Sequence, residues 1–235
     1  MTELSQSQLT QCSERLGYTF VNDMYLREAL VHRSWQAENN EPVSNERLEF
    51  LGDAVLGWVV ADLAFHRLSE MPEGKLTDLR RSVVNMHALA DISRGIGVGE
   101  FILLGRGEEA AGGQDKSSIL ADALEALIGA VYLDGGPSAA FDVVQRLLDN
   151  CIEEAIPNLD MFDAKTRLQE LCARVGIGAP FYETSGDGPD HERVFTATAF
   201  VADHLYGTGE GRTKKAAEQV AALEACEAIE REFNA

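Results

Sequence analysis

Basic residues are scarce in this chain: 20 Lys and Arg stand against 39 Asp and Glu, for a net charge of −19. A polyanion is repelled by such a chain at long range, so any nucleic-acid binding has to rest on local cationic patches and on bound divalent ions. Cysteine is sparse as well. Cys12, Cys151, Cys172 and Cys226 are scattered with no Cys-x-x-Cys pair, which argues against a structural zinc site and predicts reduced, mostly buried thiols in a cytoplasmic protein. No apolar run reads as a membrane span, because the longest is broken by two acids. The stretch Met1-Thr2-Glu3-Leu4-Ser5-Gln6 lacks the basic patch and apolar core of an export signal.

What is present is a hydrophobic content of 45% over 235 residues, enough for one large or two modest domains. Two stretches carry acids in an unusual setting. From Ile119 to Leu133 every residue is apolar, aromatic or glycine except Asp122 and Glu125. At i and i+3 these two project from one side of a helix. Glu46, Glu49 and Asp53 repeat the device at i, i+3 and i+7, with Leu48, Leu51 and Val55 opposite and Phe50 and Ala54 widening the apolar surface. An ionised carboxylate in an apolar helix costs several kcal/mol unless a cation or donor compensates it. A solvated acidic face is the competing reading, but around Asp122 and Glu125 there is no broad polar face for solvent. Two acidic stripes without a matching basic stripe point to a divalent metal.

Residues 1 to about 155 read as helices, with 3.6-residue apolar spacing in Leu26 to Val31, Leu48 to Leu63, Leu76 to Ile92, Ile119 to Leu133 and Ala139 to Ile156. Ser44 or Asn45 is placed to cap the first acidic helix. Gly105 to Gly113 reads as a flexible glycine-rich connection; it lacks the P-loop spacing. Pro157-Asn158 marks a break, so the expected division is 1–155, a linker 156–162 and a second domain 163–232.

The second segment changes character. Ala164 to Val175 predicts a helix, Phe181 to Thr184, Arg193 to Val201 and His204 to Gly207 predict strands, and Thr213 to Glu230 a final helix. The order α-β-β-β-α implies an antiparallel sheet with helices on one face. Acids outnumber bases here too, yet Arg212, Lys214 and Lys215 cluster at the start of the last helix. A solvated basic turn is the plain reading. However, cations at a helix N-terminus oppose its dipole, and a phosphate ligand would reverse that penalty.

These stretches resemble ribonuclease III, the family of bacterial double-stranded RNA endonucleases, over nearly the whole chain. The resemblance rests on Asn45 to Asp53, Ala29 to Ser34, Glu73 to Thr77 and Ser118 to Ala126, in that family's motifs and order. The tail resembles a double-stranded RNA-binding domain at Lys165 to Glu170, at Gly188 to His191 with Phe195, and at Gly209 to Gln219. Val31, Trp35 and Thr213 depart from the commoner threonine, tyrosine and serine, and the acidity is atypical of an RNA binder.

The resemblance implies an all-α endonuclease domain followed by a small α+β RNA-binding domain. It implies that Glu49, Asp122 and Glu125 ligate magnesium, with manganese as a substitute, and that Asp53 and Glu125 are most tied to cleavage. Glu46 and Glu73 match acidic positions near the RNA path. Phe50 matches a residue that packs into a partner subunit, implying a homodimer. Gln169, Glu170 and His191 match minor-groove contacts, and Lys214 and Lys215 phosphate contacts, which suits A-form RNA read by shape. Cleavage would leave staggered ends with 5′-phosphate and 3′-hydroxyl, in processing of ribosomal, messenger and small RNA, without an organic cofactor or a membrane. His32 is expected to be structural. Two rival readings are a non-catalytic RNA-binding dimer, disfavoured by the four acids together, and a small-ester phosphatase, which leaves the tail without a purpose.

Overall fold

The computed structural model describes residues 4–40, 42–159, 164–188 and 193–233, and the chain divides into two units between Ile156 and Pro157. The first is helical: α1 (Gln6–Leu16), α2 (Asp23–Ala29), α3 (Arg33–Asn39), α4 (Glu46–Arg67), α5 (Glu73–Val83), α6 (Met86–Gly95), α7 (Arg106–Ala110) and α8 (Ser117–Ala155). Among the described residues no helix is long and apolar enough to cross a membrane.

The core of this unit forms where α4 meets α8. Leu48, Val55, Leu56, Val59 and Leu63 from one helix, and Ile119, Leu124, Leu127, Ile128 and Val131 from the other, are all buried. Each such side chain contributes roughly 1.5–3 kcal/mol relative to exposure. The helices cross without side chains between their backbones at one point. A methyl group added at Gly52 would collide with the Glu125 carbonyl, and one at Gly129 with the Leu48 carbonyl. Gly136 leaves helical geometry (φ 79°) ahead of Pro137, which kinks α8 between the two apolar stretches that the sequence separates.

Three local expectations are revised. Asn45 stands at the cap of α4 but its side chain makes no cap bond, because its backbone is already helical rather than extended. Ser44 Oγ instead donates to Glu46 Oε2 at 2.9 Å. The stretch from Leu76 to Ile92 is two helices, since the Asn85 side chain accepts from the amides of His87 and Ala88 and starts α6. The glycine-rich connection is not irregular throughout: it contains α7, whose first amide, on Arg106, donates to Glu38 Oε2 at 3.0 Å.

In the second unit α9 (Ala164–Val175) precedes β1 (Pro180–Asp187), β2 (Val194–Val201), β3 (His204–Gly211) and α10 (Lys214–Phe233). The sheet is antiparallel in the order β1-β2-β3. Alternation sends Ala197, Ala199 and Val201 inward against Leu168, Leu171 and Cys172 of α9 and Ala217, Ala221, Ala225 and Ile229 of α10. Phe181 and Phe200 stack on the other face with centroids 5.1 Å apart.

The close crossing gives a direct expectation. Gly129→Val should destabilise the nuclease unit by on the order of 3 kcal/mol in urea unfolding, since the clash is with backbone that cannot swing away. A loss below about 1 kcal/mol, the range of a tolerated volume change, would contradict the crossing.

Candidate active site

The crossing of α4 and α8 brings the two acidic stripes face to face. Glu49, Asp122 and Glu125 each offer a carboxylate oxygen, and these atoms all lie within 4.8 Å of one another. All three side chains are half-buried. None has a salt-bridge partner among the described residues, although Arg33 lies near enough to favour ionised Glu49 and Asp122.

The electrostatic consequence is a proton-retaining site. Burial, and then the charges of Asp122 and Glu46, push the Glu49 carboxyl upward. Burial does the same to Asp122. Glu125 is raised to about 7 by burial, then by Asp53, Asp122 and Glu49. Three oxygen donors that resist joint ionisation suit a hard divalent cation such as magnesium or manganese, which would lift the mutual repulsion. The donor set therefore fits the metal that the resemblance implies.

Beside the cluster opens a cavity of about 270 Å³ lined by His32, Arg33, Asn45, Glu49, Lys116 and Asp122, among others. His32 is held structurally. Its Nδ1 accepts from the Ser34 amide at 3.2 Å and lies 2.7 Å from Ser34 Oγ, capping α3. Burial lowers its pKa, consistent with a neutral ring. Lys116 Nζ pairs with Glu108 Oε1 at 3.1 Å.

The other expected site residues fall in distinct places. Asp53 is exposed one turn along α4, close enough to act on Glu125. Glu46 sits in the first turn of α4, bonded to Ser44 and 4.0 Å from Arg33. Glu73 lies in the first turn of α5, where it accepts from Thr77 Oγ1 at 2.8 Å, and is not part of the three-acid group. Phe50 is 81% exposed. Gln169 and Glu170 are exposed on α9, and Lys214 and Lys215 are exposed in the first turn of α10, where Thr213 Oγ1 accepts from the Ala216 amide. His191 lies outside the described residues.

Sequence reasoning missed Gly52 and Gly129, the residues that let the stripes meet. The available signal was a glycine set within one turn of an acid in each helix, despite its cost to helix formation of about 1 kcal/mol.

The raised Glu125 carboxyl links stability to pH. Between its unfolded value of 4.5 and its folded value of about 7, the folded chain holds a proton that the unfolded chain has released. Stability from this group therefore falls as pH rises through that window. With chelator present, the melting temperature of the wild type should drop more between pH 5 and pH 8 (about the span of that window) than that of Glu125→Gln. Parallel drops would contradict the assignment.

The chain is similar to known proteins along most of its length. Residues 22–151 match the "Ribonuclease-III-like" family model and residues 164–229 the "Double-stranded RNA binding motif". A ribonuclease 3 of Thermobifida fusca is 51% identical over 97% of this chain and 95% of its own length. One from Streptomyces coelicolor is 54% identical over 92% of this chain and 78% of its own. A solved nuclease domain of ribonuclease III from Campylobacter jejuni, described for flexibility in a region involved in dimer formation, is 41% identical with a TM-score of 0.57, covering 60% of this chain and 96% of that one. A helical unit bearing converging acids, joined to an α-β-β-β-α unit and half identical over nearly its full length to ribonucleases 3, makes this chain a member of the ribonuclease III family, an endoribonuclease of double-stranded RNA.

Proposed function

We propose that the chain cuts double-stranded RNA as a homodimer, with magnesium held by Glu49, Asp122 and Glu125 in each protomer and manganese as a substitute. The observation that carries this reading is the convergence of those three carboxylates with no cation paired to them among the described residues. A divalent ion bound there would supply an acidified water and would offset charge developing on the phosphoryl oxygens. With a metal bound, Glu125 would be ionised and its carboxylate would complete the oxygen donor set. Asp53, exposed at the rim, would orient the attacking water and accept its proton. Water would add to phosphorus as the bond to the 3′-oxygen breaks, and that oxygen would take a proton from solvent, to which exposed Asp53 returns the one it accepted. The products are a 5′-phosphate and a 3′-hydroxyl.

The RNA-binding unit would hold the duplex. Exposed Gln169 and Glu170 on α9, with His191, are assigned to the minor groove, and Lys214 and Lys215 to phosphates at the start of α10. Glu46 and Glu73 are assigned to the RNA path rather than to the metal. The three buried thiols and the half-buried Cys151, all free, suit a cytoplasmic setting.

The dimer reading rests on Phe50. Its exposed ring stands beside a depression lined by Tyr25, Leu48, Leu51 and Leu133. A knob next to a socket is self-complementary under a two-fold axis. Such a dimer would present one acidic site to each RNA strand.

Two measurements test the proposal. Glu125→Gln should lower metal-dependent cleavage of duplex RNA by on the order of 10²–10³-fold while leaving binding intact, and equal cutting by both proteins would overturn the site. Phe50→Asp should convert the dimer to a monomer in sedimentation, with its fold retained by circular dichroism; an unchanged dimer would move the interface elsewhere.

A further inference from the structure

One feature of the nuclease unit has no part in this scheme. Arg80 and Arg81, neighbours in the last turn of α5, are exposed, and neither side chain has an ion-pair or hydrogen-bond partner among the described residues. Most other arginines of the unit are engaged: Arg15 with Glu100, Arg67 with Asp149 and Glu153, Arg94 with Asp91, and Arg146 with the carbonyls of Leu16 and Gly17. The dipole of α5 favours cations in its last turn, typically by about 0.3–1 kcal/mol. That preference does not explain why both residues line a cleft.

The cleft, about 500 Å³, runs between α4 and α5. Asp53, Ala54, Gly57 and Trp58 form its α4 side and Arg80 and Arg81 its α5 side. The α4 side is low where it carries Ala54 and Gly57, and a methyl group added at Gly57 would meet nothing within 4 Å. Trp58 is half-exposed and steadied edge-on by Phe141 at 6.1 Å. Asp53 belongs both to this cleft and to the surroundings of Glu125, so the cleft leads directly away from the carboxylate cluster.

We infer that Arg80 and Arg81 form a phosphate subsite that seats the RNA backbone beside Asp53. The inference rests on the endonuclease reading and adds positioning residues to it. Guanidinium groups match phosphate oxygens two bonds at a time. A chain of net charge −19 needs local cations wherever the backbone approaches its acids. The cleft also lies apart from the Phe50 knob and its socket, whose walls come from α2, α4 and α8 rather than α5. A protein partner's carboxylate is therefore the less favoured occupant.

The test uses the full chain and a short RNA duplex, with binding read in the cleavage-deficient Glu125→Gln background. Adding R80Q and R81Q removes two cations from each protomer of the dimer, so it should reduce the slope of log affinity against log salt by about 4 and weaken low-salt binding at least about tenfold. In the active chain the same pair should raise KM by a similar factor with kcat changed less than about twofold. R80K with R81K should recover the slope, because point charges still release counterions, but not the full affinity. An unchanged slope with R80Q and R81Q overturns the inference, as does loss of the dimer in sedimentation with RNA affinity retained, which would give the arginines to a partner subunit. Failure of the endonuclease reading would show elsewhere, as cleavage by the otherwise wild-type chain that ignores Glu125→Gln.

Discussion

The contact of backbone with backbone between Gly52 and Gly129 governs the geometry of the nuclease unit. Side chains of ordinary size at these positions would hold α4 and α8 apart, and the acids one turn from each glycine would then face solvent separately. Because the helices touch, Glu49 is brought against Asp122 and Glu125 in a half-buried setting where three charges cannot ionise freely. The energy that sustains this arrangement comes from the apolar residues on either side, from Leu48 to Leu63 and from Ile119 to Val131. Packing thus holds together groups that electrostatics alone would separate, and the resulting tension is what a divalent ion relieves.

The acids themselves were legible because helical periodicity converts spacing into direction. Asp122 and Glu125 at i and i+3 had to share a face once their stretch was read as a helix, and the same holds for Glu49 and Asp53. The α-β-β-β-α order of the second unit was legible for a similar reason, since Ala197, Ala199 and Val201 alternate with polar or aromatic neighbours. The meeting of the stripes was not. It depends on a contact between residues far apart in sequence, and a glycine inside a helix announces only a local cost until its neighbour is known.

Smaller departures have the same origin. Helix α7 exists where the sequence reads as a loop because Glu38, from another helix, receives the Arg106 amide. Asn85 divides what periodicity joins, since a side chain that accepts two amides can start a new helix inside an apolar pattern. Arg80 and Arg81 give no signal in the sequence, because a basic pair at a helix end is ordinary. Their significance comes from the cleft they border and from the lack of any partner among the described residues.

The acidity of the chain is compatible with an RNA substrate because charge is arranged locally. Cations are exposed at Lys214 and Lys215 on one unit and at Arg80 and Arg81 on the other, while the converging acids of the nuclease unit are half-buried. Anomalous diffraction from crystals of this chain soaked in manganese tests the central claim most directly. The account predicts a peak coordinated by oxygens of Glu49, Asp122 and Glu125. Full manganese occupancy elsewhere, with those three side chains unligated and turned apart, would contradict it.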